Sequence, residues 1–355
     1  MSFESESDQN FSLSGPVHLN NVDWNNMDHR RSVLASLVKG GYILERDRQQ
    51  RRHESQALAP FWWESFDFKL KDKLIDHDGK SIWHKDSIFG AIYEYEYPSP
   101  DSPRDPNIPQ YVIAFRGTIM EPDTVLRDNN LNLQCFFNKL HKTRCFKVAM
   151  DYVQKMVDEG ARVWLAGHSL GSAMALLAGK NMAKTGCFLE TYLFNPPFYS
   201  VPIEGAIKSE DLKFVYRCSK SVLKVALAGI SRAVNGAESH EPFVELSSWV
   251  PNLFVNPNDP ICFEYIGYFS HRKKMEESGL GLIERIATKK SVKSLCSSVV
   301  AKASRLEPLH LLPSAYLIIN RSPFLDDDKG QNFRTFHELQ QWWKCFACES
   351  TLYKY

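Results

Sequence analysis

Gly167-His168-Ser169-Leu170-Gly171 sets a serine between two glycines, each two residues away. A serine on so tight a turn has the placement of a nucleophile for acyl transfer, which attacks a carbonyl carbon and holds the acyl group as an ester. Bulky residues two positions either side would clash in that turn, and the glycines answer the clash. The five-residue pattern alone is weak, because three fixed positions recur by chance. Its plainer alternative is a helix N-cap serine flanked by glycine. Context favours the nucleophile: the apolar run "RVWLAGH" before it reads as a strand, and "SAMALLAGKNMAKTG" after it as a small-residue helix.

A serine hydroxyl is a poor nucleophile without a base, and the base needs an acid to orient it. With this motif the chain order is serine, acid, histidine, each from a loop beyond a strand's C-terminal end. Asp259, ending "LFVNPND", has the acid's placement, against the alternative of a turn residue beside Pro260. Asp211 precedes its strand and falls at the wrong edge. His337 follows the last expected strand, "SAYLIIN", and is the expected base; His310 precedes that strand and is the runner-up. His271 lies in the charged run "SHRKKM" and is expected in solvent. His168 is expected to be structural or to support the reacting groups from behind them. For the developing oxyanion, the amide of Leu170 is one expected donor. Thr118, in the loop after "QYVIAF", is the other, with Arg116 tying that loop in place.

These residues need a parallel sheet to carry them. Strands are expected over 87–97, 110–118, 162–168, 191–197, 212–218, 251–259 and 314–320, and helices over 29–58, 145–160 and 172–186. Strand, helix and strand in quick succession around Ser169 point to an α/β fold with helices on both faces. Residues 1–28 are polar and read as a loosely held arm. Residues 29–355 read as a single domain with insertions at about 219–247 and 272–308.

Of 355 residues, 43% are hydrophobic, enough for a large core, and 43 basic against 42 acidic residues give no sign of nucleic acid as a partner. Within 280–305, Arg285, Lys289, Lys290, Lys293, Lys302 and Arg305 face one acid, Glu284. A helix there would pack on the core or make weak peripheral contact with an anionic membrane. The opening residues lack the basic and apolar regions of an export signal, so a cytoplasmic location is expected, with all eight cysteines reduced. Cys345-x-x-Cys348 has no second ligand pair for zinc and reads as chance spacing on a helix. Neither a metal nor another cofactor is expected.

"VIAFRGT" followed by "GHSLGSAMALL" resembles the class 3 (fungal-type) lipases of the α/β-hydrolase superfamily, most specifically over residues 87–200. The resemblance implies a mostly parallel sheet with inserted helical segments. It also implies the oxyanion threonine at Thr118, the nucleophile at Ser169, the acid at Asp259 and the terminal histidine at His337. "FSLSGPVHLNNVDW", "NDPICFEYIGYFSHRKKMEE" and the closing "LYKY" look like a plant lipase-like subgroup labelled GDSL esterase/lipase, although the motif here is GHSLG. The activity so implied is hydrolysis of lipid-type acyl esters through an acyl-enzyme. The alternatives are a non-catalytic lipid- or partner-binding protein on the same scaffold and an acyltransferase using the same residues.

Overall fold

Strand β4 (Val163–His168) is buried along its whole length, which is why its sequence is a continuous apolar run without alternation. It lies inside the sheet of a computed structural model that describes residues 6–79, 83–99, 105–118, 140–198, 246–277, 310–322, 333–345 and 347–355. Among these residues the other strands are β1 (Phe68–Asp76), β2 (Ser87–Tyr95), β3 (Tyr111–Phe115), β5 (Thr191–Phe194), β6 (Asn252–Val255), β7 (Ala315–Asn320) and β8 (Cys348–Tyr353). They pair in chain order, β1 to β8. Strands β3 to β7 run parallel, with an antiparallel pair added at β1–β2–β3 and another at β7–β8.

The parallel centre sets the C-terminal ends of β3, β4, β5, β6 and β7 along one edge. Side chains alternate between two cores. Leu165, Leu193, Leu253 and Leu317 face helices α2 (Arg144–Asp158), α3 (Leu170–Lys184) and α4 (Glu264–Glu277). Trp164, Tyr192, Phe254 and Ile318 face helix α1 (Met27–Gln50) and a tryptophan-rich layer that includes Trp62 and Trp342. Helices therefore cover both faces, and the architecture is the α/β-hydrolase type expected from the sequence.

Several expectations are corrected. Strands β1 and β8 each carry several exposed residues, at alternate positions in the first part of β1, a weak apolar signal typical of flanking antiparallel strands. Helix α1 ends at Gln50, with Arg51 left-handed at φ 55°. Its charged end is solvated only in its last turn: Arg48, Gln49 and Gln50 are exposed, whereas Glu45, Arg46 and Asp47 are buried, and Asp47 accepts hydrogen bonds from the Leu58 and Ala59 amides and from Arg52. The described part of the N-terminal arm is packed, not loose. Leu19 and Trp24 are buried, and the Trp62 and Trp343 indoles donate to the carbonyls of Gln9 and Ser14.

Cys345 and Cys348 form a disulfide instead of lying reduced on a helix. The chain turns out after Trp343, and pairing of Cys348 with Asn320 begins β8, so helix continuation loses to the strand ladder. Arg272, in the run expected to be solvated, is buried and donates to the carbonyls of Leu312 and Pro313. It lies on α4, so the 272–308 insertion begins within a helix. The rest of that insertion, the basic segment 280–305, the strand expected over 212–218 and all but the last two residues of the 219–247 insertion lie outside the described residues. Among those described, no helix is long and apolar enough to cross a membrane.

Candidate active site

Ser169 ends β4's turn into α3 with φ 54° and ψ −124°, a conformation that costs a non-glycine residue about 1–3 kcal/mol. The surroundings enforce it. A Cβ on Gly167 would lie 2.3 Å from the Gly171 carbonyl oxygen, and one on Gly171 would lie 2.2 Å from that of Phe115. Ser169 donates its own N–H to the Phe194 carbonyl at 2.9 Å, tying the turn to β5. It occupies the N-cap position of α3, yet its hydroxyl makes no capping hydrogen bond. The serine is thus an N-cap by position whose hydroxyl is not used for capping. Leu170 is the first residue of α3, so its N–H belongs to the helix-start donors with no intrahelical acceptor.

The end of β3 approaches this turn directly. A Cβ on Gly117 would sit 3.0 Å from the Ser169 Cβ, so the backbone one residue before Thr118 abuts the serine. Arg116 holds the loop as expected: its guanidinium is buried and donates to the carbonyls of Ile88 and Gly117. Burial pushes its pKa down to about 10, against the opposing pull of the Glu45 carboxylate. Glu45 in turn accepts from the Ile88 amide at 2.9 Å.

Asp259, in the turn beyond β6, meets His337, the last residue of the short helix Phe333–His337 beyond β7. His337 Nδ1 lies 2.8 Å from Asp259 Oδ2, so Nδ1–H is the donor and Nε2 is left as the base. Asp259 is fully buried. Its Oδ2 also accepts from Asn195 Nδ2 at 2.6 Å and from the Cys262 thiol at 3.2 Å, and its Oδ1 accepts from the Ile261 amide at 3.0 Å. Burial works to raise its pKa, but His337 and these hydrogen bonds outweigh it and hold the carboxyl below its ordinary value. Burial, and after it the same carboxylate, pushes the Cys262 thiol well up. His310 has its ring 4.6 Å from that of Phe198, and the histidine that Asp259 takes is His337.

Three residues that the sequence did not single out complete the arrangement. Asn195, left-handed at φ 47°, donates to Asp259 and to the Phe336 carbonyl at 3.1 Å and accepts from the Trp342 indole at 2.6 Å. Those bonds, at about 1 kcal/mol each, offset the cost of its backbone. Gln341 donates to the same Phe336 carbonyl at 2.6 Å. Tyr42, on α1, lies 2.8 Å from His168 Nδ1 through its hydroxyl. His168 Nε2 lies 2.7 Å from the carbonyl oxygen of His337 itself. The one available signal for Asn195 was a polar residue in "TYLFNPP", at the end of an apolar strand facing the catalytic edge.

Comparisons with known proteins point to lipase-type ester hydrolysis. The family described as Lipase (class 3) matches residues 106–200. A protein of Arabidopsis thaliana named GDSL esterase/lipase is 43% identical over 348 residues, covering 94% of this chain and 94% of its own length. The crystal structure of a lipase from Rhizopus microsporus var. chinensis is 20% identical, covering 48% of this chain and 57% of that one, with a TM-score of 0.27.

Proposed function

From the premise that this chain belongs to the class 3 lipase family, as a plant lipase-like ester hydrolase, we propose that Ser169, His337 and Asp259 are its catalytic triad and that its substrates are lipid-type acyl esters. Ser169 Oγ attacks the ester carbonyl while His337 Nε2 takes its proton. The same proton passes to the departing alcohol, leaving the acyl group on Ser169. Water, activated in turn by His337, releases the acid. Asp259 fixes the imidazole with Nε2 forward and stabilises the imidazolium. The Leu170 and Thr118 amides receive the oxyanion charge.

One observation carries the reading. The imidazole bound to buried Asp259 belongs to a residue whose own carbonyl is anchored on His168, the neighbour of Ser169. Replacing Ser169 with Ala is expected to lower kcat on a p-nitrophenyl ester by roughly a millionfold at most, and to abolish labelling by a fluorophosphonate. Unchanged hydrolysis by Ser169→Ala would overturn the assignment. Peripheral contact with anionic membrane belongs to the same proposal, supported by the charge of residues 280–305. It would show as salt-sensitive flotation with anionic vesicles, and flotation indifferent to lipid charge would remove it.

A further inference from the structure

Helix α1 packs on the face of the sheet opposite α2 and α3, yet one of its side chains reaches the catalytic edge. The Tyr42 hydroxyl accepts the Gly117 N–H at 2.7 Å and lies 2.8 Å from His168 Nδ1. The Tyr42 ring meets the His168 imidazole edge-on, 5.8 Å between centroids. We infer that Tyr42 is a positioning residue for ester hydrolysis, its hydroxyl setting the proton on His168 and holding the oxyanion loop against the serine turn. The inference rests on the triad proposed above.

Donor accounting fixes the direction of each bond. The His337 carbonyl has no proton to give, so His168 Nε2 must carry one and donate it. Burial first, and then the nearness of His337, push the His168 pKa down to about 3, so the ring is neutral and Nδ1 is bare. A bare nitrogen can only accept, and the Tyr42 O–H is therefore the donor to it. The tyrosine oxygen keeps its lone pairs for the Gly117 N–H. The chain runs Gly117 N–H to Tyr42 O, Tyr42 O–H to His168 Nδ1, and His168 Nε2–H to the His337 carbonyl.

Three parts of the machinery are thereby held by one hydroxyl. Gly117 precedes Thr118, His168 precedes Ser169, and the last carbonyl belongs to the base. Neutral His168 also matters to the proton transfer. The two imidazole rings lie 4.8 Å apart, and a charged His168 would face the imidazolium that forms on His337.

Tyr42→Phe keeps the ring and removes the hydroxyl. We expect a thermal midpoint lower by several degrees, because the Gly117 N–H and His168 Nδ1 lose their partner, a kcat on a p-nitrophenyl ester lower by about tenfold to a hundredfold, and a KM nearly unchanged. A role confined to packing would move the midpoint and leave kcat in place. Nitrogen-15 NMR of the histidine-labelled wild-type protein, with His168→Gln identifying the signal, reads the tautomer without any turnover. The expected state is Nε2–H with a hydrogen-bonded Nδ1. Wild-type kcat in a folded Tyr42→Phe, or a His168 protonated at Nδ1, would overturn the inference. Failure of the triad itself is distinguishable, since it appears as undiminished hydrolysis by Ser169→Ala. The NMR measurement decides the tautomer whether or not Tyr42→Phe folds.

Discussion

The two halves of the site are held by different forces. On the nucleophile side, a five-residue turn is clamped by excluded volume, with glycines at 167 and 171 pressed against backbone. On the acid–base side, Asp259 and His337 stand 78 residues apart in sequence and are joined through the side chains of Asn195, Trp342 and Gln341. Steric repulsion rises steeply over tenths of an ångström, whereas a hydrogen bond is worth about 1 kcal/mol net. Damage to the first half should therefore act as an all-or-none loss, and damage to the second by degrees.

The largest effect should come from Gly171→Ala. Its new Cβ would lie 2.2 Å from the Phe115 oxygen, a carbonyl of central strand β3 with no side-chain rotation to relieve the overlap. We expect a loss of about 3 kcal/mol or more, enough to deplete the folded protein. Urea unfolding measures it, and a stability within 1 kcal/mol of wild type would show that the turn yields.

Asn195→Ala should be milder in kind. It leaves the Trp342 indole N–H without its acceptor and removes a donor from both Asp259 and the Phe336 carbonyl. Asp259 keeps the Ile261 amide and His337, so the pair survives with looser geometry. The expected result is a folded enzyme about 2 kcal/mol less stable, with kcat lower by about tenfold to a hundredfold and KM little changed. Wild-type kcat would mean that backbone alone fixes the acid and base, and the contrast between the halves would collapse.

That contrast also explains what could be read in the sequence. Steric rules act between near neighbours, so Gly167, Ser169 and Gly171 announce their turn within five letters. Asp259 and His337 were reachable through chain order, because each follows a strand whose apolar run is visible. Asn195, Trp342 and Tyr42 were not. An asparagine after "TYLF", a tryptophan in "HELQQWW" and a tyrosine in "VKGGYIL" take their roles from contacts across 147 and 126 residues, Asn195 to Trp342 and Tyr42 to His168. The expectation of a loose N-terminal arm failed for the same reason, since the indoles that bind the Gln9 and Ser14 carbonyls come from Trp62 and Trp343, far along the chain.

His168 joins the halves, sitting in the turn by its backbone and bonding His337 by its ring. Its pKa falls from an ordinary 6.5 to about 3, chiefly by burial, with His337 and Lys39 lowering it further and Asp259 opposing. The unfolded chain therefore binds a proton below pH 6.5 that the folded chain refuses until near pH 3, and stability must fall with pH across that window. Asp259, with its pKa held below the ordinary 3.8, loses its contribution only at lower pH, so the two do not overlap between pH 5 and 7. His168→Gln offers the same donor and acceptor without a titrating proton. Between pH 7 and pH 5, wild type should lose about 2 kcal/mol more than His168→Gln in urea unfolding. Equal losses would mean that folded His168 takes up the proton as readily as the unfolded chain. A charged ring would then face His337, and the joint between the two halves would oppose the proton transfer it is placed to support.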